Sequence, residues 1–403
     1  MKTKYLLLFV LTGLLAILYS CHKSTDYKAL IVTGQNNHNW QASSPILKTI
    51  LEQTGLFDAE IAKTPEKGGD MNIFNPDFSK YNLVVIDYNG DSWSDKTNAA
   101  FVDYVNNGGG VVFYHAANNS FPKWKEYNLM AGLGGWGNRS EKDGPYMYFR
   151  NDSLIVDPSA GRGGSHAKRH EFEVKIRNTE HPITKGLPVH WMHGNDELYS
   201  QLRGPGKYME ILATAYADTA GGGTGHHEPM LMTINYGKGR IFHTALGHAD
   251  TGGGPAMECA GFISTFQRGA EWAASGKVTQ KIPYDFPNAA GVSLRTDFKE
   301  LTLEDDLTKI GQYEITKSTK YFTDLQSRIR NEARTTEELI KFEKLMIKVL
   351  QDNNATDEGK KLLLGELSWM GSDLSVPVIR ELALNDRLKD AAEFALARLQ
   401  PTK

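Results

Sequence analysis

The chain has 403 residues, and its 45 Lys and Arg against 48 Asp and Glu leave a net charge of −3. No basic stripe with interleaved aromatics is present, which argues against nucleic acid as a partner. The only cysteines are Cys21 and Cys259, so no disulfide framework braces the fold, and stability must come from a core that a chain this long can bury amply.

Residues 1–21 read as a signal peptide: Lys2 and Lys4 precede an apolar run from Tyr5 to Tyr19 that is too short to span a membrane as a stable helix. Its end, Leu18-Tyr19-Ser20-Cys21, resembles a bacterial lipoprotein box with Cys21 as the lipidated first residue. That implies a periplasmic or outer-membrane lipoprotein of a Gram-negative bacterium, tied to the membrane by its lipid. His22 stands where Asp would favour the inner membrane. An ordinary signal peptide or an N-terminal anchor is the alternative.

Composition divides the remainder into an α/β domain over 22–285, a linker over 286–305 carrying Pro287 and Gly291, and a helical domain over 306–403. Tyr27–Thr33 is an apolar run expected as a buried strand. Ser43-Ser44-Pro45 is expected to cap and open a helix over Ile46–Gln53. Strands follow at Ala59–Ala62 and Leu83–Asp87, then a helix over Thr97–Asn106 that ends in three glycines and leads into the strand Val111–Tyr114. Alternating strands and helices predict a flavodoxin-like, doubly wound, mostly parallel sheet, with Leu83–Ile86 and Val111–Tyr114 near its centre. Met130–Gly164 reads as a long excursion without regular structure. Further strands are expected at Glu171–Ile176, Tyr208–Ala213 and Met230–Asn235, and a covering helix over Ala260–Ala274.

Functional groups gather at strand ends. Gly237–Asp250 carries His243, His248 and Asp250, and Gly108–Tyr114 runs from a glycine turn through an apolar strand to His115. Ligands of open parallel sheets bind beyond the carboxyl ends of the strands, so these histidines point towards one crevice. The three glycines precede a strand rather than open a helix, so they form no phosphate cradle and imply no nucleotide.

Five segments in this order, TGQNNHNW from Thr33, GGGVVFYHAA from Gly108, HPITKGLP from His181 with NDELY from Asn195, HEPMLMTINYGKGRIFHTALGH from His227 and QRGAEWAASG from Gln267, resemble the ThuA-like (trehalose utilisation) domain. The resemblance covers about residues 27–280. It implies the class I glutamine amidotransferase-like fold and an association with sugar oxidoreductases, hence with 3-keto sugars. An amidotransferase needs a nucleophilic cysteine on the turn after the central strand. Here that turn is His115-Ala116-Ala117, so amide hydrolysis through an elbow thiol is ruled out.

A 3-keto glycoside offers another route. Its ketone acidifies the C2 proton, and the enolate formed by a base can expel the C1 substituent. Histidine supplies a base near neutrality, and a divalent metal, zinc or another first-row ion, supplies charge stabilisation. The candidate catalytic residues are His115, His248, Asp196 and Glu197. Candidate metal ligands are His38, His115 and His248, overlapping that set. Asn37, His38, Trp40, His193 and Asp250 are candidates for binding sugar, Trp40 by stacking.

Each has a structural alternative: Asp196 and Asp250 can cap turns, and tryptophan usually packs in the interior. His243 is as readily a core residue as a ligand, His181 reads as structural, His226 and His227 as rim, and His166, His170 and His190 are undecided. Cys259 reads as a buried inert thiol.

After residue 306, helical periodicity at Glu337–Leu350, Lys360–Met370, Val376–Leu384 and Leu388–Leu399 resembles degenerate HEAT-type repeats, a scaffold or protein-contact region. Two functional classes follow: a lipid-anchored enzyme processing 3-keto glycosides by elimination or hydrolysis, or a non-catalytic carbohydrate-binding or assembly protein. Histidines with acidic partners favour the enzyme.

Overall fold

The structure, a computed structural model, describes residues 25–299 and 302–400. The signal peptide with Cys21, and two residues of the expected linker, lie outside the described residues. Strands β3 (Leu83–Ile86) and β4 (Gly110–Tyr114) are buried at every residue, as continuous apolar runs covered on both faces must be. Between β3 and β2 (Phe57–Lys63) lies β1 (Tyr27–Thr33), and β11 (Gly239–Thr244) flanks β4 on its other side. These strands pair in parallel in the order β2-β1-β3-β4-β11, the flavodoxin-like order with its switch point at β1/β3. Beyond β11 the sheet continues antiparallel through β10 (His227–Tyr236), β9 (Met209–Tyr216), β7 (His170–Ile176) and β8 (His190–Asp196).

Helices cover both faces of this sheet, as the doubly wound class requires. On β11, a Cβ at Gly269 of α5 (Ala260–Ser275) would come within 2.1 Å of Phe242, so α5 packs directly on that ring. The next residue, His243, donates from Nδ1 to the Ala131 carbonyl at the end of α3 (Lys125–Ala131), at 2.8 Å. Neighbouring strand residues point to opposite faces, so α3 and α5 lie on opposite sides. The helices α1 (Trp40–Glu52), α2 (Asp95–Asn106) and the short α4 (Pro255–Glu258) complete the layers.

Two local expectations need correction. The cap of α1 is Asn39, whose Oδ1 accepts from Ala42 N. Ser43 and Ser44 instead lie inside the helix and donate to buried Asp87 at the end of β3, at 2.6 and 2.7 Å. The excursion over Met130–Gly164 is not structureless: it contains a hairpin, β5 (Tyr146–Arg150) and β6 (Ser153–Asp157), turned by Asn151 and Asp152 at φ 49° and 57°. Both central residues at positive φ are the mark of a type I′ turn.

The apolar residues form two clusters, one reaching from Ala29 to Phe286 and one from Leu303 to Ala395. Much of the expected linker packs on the first: Leu294 and Phe298 lie against it, and Arg295 pairs bidentately with buried Asp285 at 2.7 and 2.6 Å. The second cluster is built by α6 (Leu303–Gly311), α7 (Lys320–Glu332), α8 (Thr336–Gln351), α9 (Asp357–Met370), α10 (Val376–Leu382) and α11 (Lys389–Leu399). Periodicity found the last four. The first two were not anticipated, although Leu303, Leu307 and Ile310 of α6 and Tyr321, Leu325 and Ile329 of α7 lie at helical spacing and pack into the cluster.

Between the clusters Asp306 is wholly buried. Burial, aided by Asp324 and Asp285 and opposed by Arg328 and Lys320, pushes its carboxyl up to about 8. An acid whose pKa is raised on folding binds more protons folded than unfolded, so its contribution to stability falls as pH rises from about 4 to about 8. The variant D306N is therefore expected to lose less stability than the wild type between pH 5 and pH 8, as read from urea midpoints. Identical pH dependence of the two proteins would refute that role.

Candidate metal centre

The carboxyl ends of β1, β4, β11 and β8 each deliver one side chain to a common point. Past β1 the loop carries His38, held by its backbone N–H donating to Asn36 Oδ1 at 3.2 Å. Directly after β4, His115 adopts φ 45°, a left-handed conformation uncommon for a non-glycine residue and frequent at functional turns. Past β11 comes His248, and past β8 comes Glu197.

Three ring nitrogens converge on one carboxylate oxygen. His38 Nε2, His115 Nε2 and His248 Nδ1 lie 3.3, 3.6 and 3.3 Å from Glu197 Oε2. The rings stand nearly perpendicular to one another, with interplanar angles of 77°, 82° and 89°. One donor atom from each of the four residues lies within 4.8 Å of all the others.

Their protonation is partly fixed by neighbours. His115 Nδ1 faces the Ala245 carbonyl at 2.8 Å; a carbonyl only accepts, so Nδ1 carries the proton and Nε2 a lone pair. That lone pair is buried and, among the described residues, has no hydrogen-bond donor. It faces an anionic oxygen, a repulsive arrangement unless a cation shares the space. His248 Nε2 lies 3.5 Å from Asp250 Oδ1, and Arg169 holds both oxygens of Asp250 at 2.8 and 2.7 Å. Such outer carbonyl and carboxylate partners orient metal-binding imidazoles.

The electrostatics agree for His38 and Glu197. Burial, with His115 and His248 close by, pushes His38 down to about 4 against the pull of Glu197, so it is a neutral imidazole. Burial raises Glu197, but the imidazoles of His115, His248 and His38 beside it outweigh that and hold the carboxyl far below the usual range. For His248, burial is outweighed by Glu197, and the net shift is upward. Neutral imidazole and ionised carboxylate are the ligand forms that divalent first-row ions take. Donors bound to one ion at about 2.0–2.1 Å in a tetrahedral arrangement sit about 3.3–3.4 Å apart, close to the separations here. The four residues can hold such an ion.

Asp196 lies beneath this cluster and does not reach it. Its Oδ1 accepts from the N–H groups of Glu197 and His248 at 2.6 and 3.1 Å, and its Oδ2 from Gly247 N and His193 Nε2, both at 2.7 Å. Its carboxylate is saturated by the loops it holds, which makes it a positioning residue. His193 is fully buried against Trp191 and Phe172, so it cannot contact sugar. The Lys63 ammonium lies over the ring of Trp40 at 4.7 Å and takes up a face that a sugar would need for stacking. Asn37 is exposed, its Oδ1 accepting from Asn89 Nδ2 at 2.6 Å. His243 is a core histidine, bonded to Ala131 and to Asn118 at 3.1 Å.

Sequence reasoning left His166 undecided and did not single out Tyr199. Tyr199 stacks on His115 at 4.3 Å, Trp136 packs on Tyr199 at 4.7 Å, and His166 Nε2 lies 3.7 Å from Glu197 Oε1. The signal for His166 was its place at the end of the long excursion, where the chain returns over the strand ends before β7.

The family model described as trehalose utilisation, ThuA, matches residues 28–273. Among solved structures, a ThuA-like protein from Parabacteroides merdae is 53% identical with a TM-score of 0.68, over 69% of this chain and 100% of that one. A ThuA-like protein from Bacteroides uniformis is 19% identical with a TM-score of 0.43, over 65% of this chain and 96% of that one. No curated protein matches the chain.

Proposed function

The chain belongs to the ThuA, trehalose utilisation, family, and on that premise we propose that it is a lipid-anchored, metal-dependent enzyme of carbohydrate catabolism. Its proposed reaction is C1–O cleavage of 3-keto glycosides through a C2 enolate, ending in elimination or hydrolysis. The observation that carries the reading is the convergence of His38, His115, His248 and Glu197 from four strand ends on one point. Three imidazoles around an ionised carboxylate, with outer partners at the second ring nitrogens of His115 and His248, are more than a buried core needs and suit a divalent cation. A bound divalent ion would supply positive charge to the ketone oxygen as negative charge develops there.

The remaining work falls to the chain. Glu197 and the three histidines would hold the ion, and Asp196 fixes the two loops that carry Glu197 and His248. Trp136, half-buried beside Tyr199 and His166, supplies an aromatic face for the sugar in place of Trp40. The helical region after residue 302 is proposed as a scaffold of HEAT-like pairs. Trp369, Leu384 and Phe394 are exposed there and offer a surface for protein contact.

The test pairs metal analysis of protein lacking residues 1–21 with turnover of a 3-keto glucoside before and after chelation. One equivalent of metal and aglycone release that chelation stops are expected. Metal-free protein that binds the sugar without turnover would refute the enzyme and support a carbohydrate-binding role.

A further inference from the structure

We propose that His166 is the catalytic residue that takes and returns the proton at this site, an inference that rests on the metal-dependent reading above. As ligands, His38, His115 and His248 have no lone pair left to act as a base. Other titratable groups nearby are engaged: Asp250 is clasped by Arg169, Asp196 is saturated and buried, and Asp87 is buried and accepts from Ser43, Ser44 and Asn36.

His166 differs from all of them. Its side chain is 37% exposed, and its Nε2 lies 3.7 Å from Glu197 Oε1, the oxygen turned away from the three converging rings. It is not among the four residues whose donors share one point. Its Nδ1 lies 2.8 Å from the Ala167 carbonyl, which can only accept. In the neutral ring the proton therefore sits on Nδ1, and the Nε2 lone pair lies on the side of the ring towards Glu197 and the cluster. Trp136 and Tyr199 flank the same ring, with centroids at 6.1 and 6.4 Å. A sugar resting on Trp136 would thus lie beside the partly exposed ring of His166.

The step balances on this one group. Nε2 takes the C2 proton, and the C2–H electron pair forms the C2=C3 bond of the enolate while the ketone oxygen takes up the charge. Collapse of the enolate forms C1=C2 and breaks C1–O, and the oxygen leaves with that pair. The departing oxygen takes the proton from Nε2, which restores neutral His166 and gives an alcohol and an enone. Addition of water to the enone at C1 completes a hydrolysis.

The experiment compares wild type, H166A and H166Q in metal content, in exchange of the substrate C2 hydrogen with solvent deuterium, and in aglycone release. Both variants are expected to keep one equivalent of metal and to lose about 10²–10⁴-fold in exchange and release. Added imidazole is expected to restore part of the activity of H166A but not of H166Q, whose side chain fills the space. Exchange at near wild-type rate in either variant overturns the assignment and leaves the metal reading standing. Loss of metal from both variants also overturns it, by making His166 a ligand. Wild-type protein without metal and without exchange sinks the reading of the site, and this inference with it.

Discussion

Replacing His115 with alanine is expected to abolish stoichiometric metal binding and glycoside cleavage together. The side chain sits at the turn after β4 with its backbone at φ 45°, its Nδ1–H donating to Ala245 and its Nε2 aimed at Glu197. Tyr199, which stacks on the ring, carries no imidazole to replace that nitrogen. Changes to residues that merely orient a ligand typically cost about 10–100-fold in metal affinity, and removing the ligand itself is expected to exceed that. Alanine also removes a wholly buried ring, so stability is to be read alongside. H115Q keeps much of the volume and a polar end, and a metal titration of H115Q separates loss of coordination from loss of packing. Tight metal binding by both variants would remove His115 from the centre.

The second large effect is expected at Asp196. Its two oxygens accept from three backbone N–H groups and from His193, all in the interior. Burial works against a charge on His193, yet Cys259 and Asp196 together hold its pKa up at about 9. Removing one partner of a buried ion pair leaves the other uncompensated, at a cost of about 3–5 kcal/mol. D196A should therefore lower the urea midpoint strongly and weaken metal binding by about 10–100-fold, because the Glu197 and His248 loops lose their common anchor. D196N should fail similarly, since its amide N–H groups must face donors. A wild-type midpoint for D196A would show that the loops hold their places without it.

Much of this was legible in the chain. Leu83–Ile86 and Val111–Tyr114 are continuous apolar runs and could only be central strands, and placing histidines just after such strands put His38, His115 and His248 at one end of the sheet. Glu197 was nameable because it stands in the NDELY segment beside Asp196. What the sequence hid has physical reasons. The strand His190–Asp196 has no β-branched residue, and its Gly194 is there because a Cβ would meet the Pro255 carbonyl at 2.3 Å, so it does not read as a strand. Asp196 and Glu197 are adjacent, and strand alternation sends one into the interior and the other to the cluster; a residue pair cannot announce which is which. Trp40 was favoured for stacking because it stands beside His38 in the sequence, and only the path of the excursion brings Trp136 to the site.

The most direct measurement is X-ray absorption at the metal edge of protein loaded with one equivalent of zinc. The account predicts a single bound ion per chain in a nitrogen and oxygen shell, with the outer-ring scattering of three imidazoles, and loss of that signal in H115A. No retained ion, or a shell that contains the sulfur of Cys259, would contradict it.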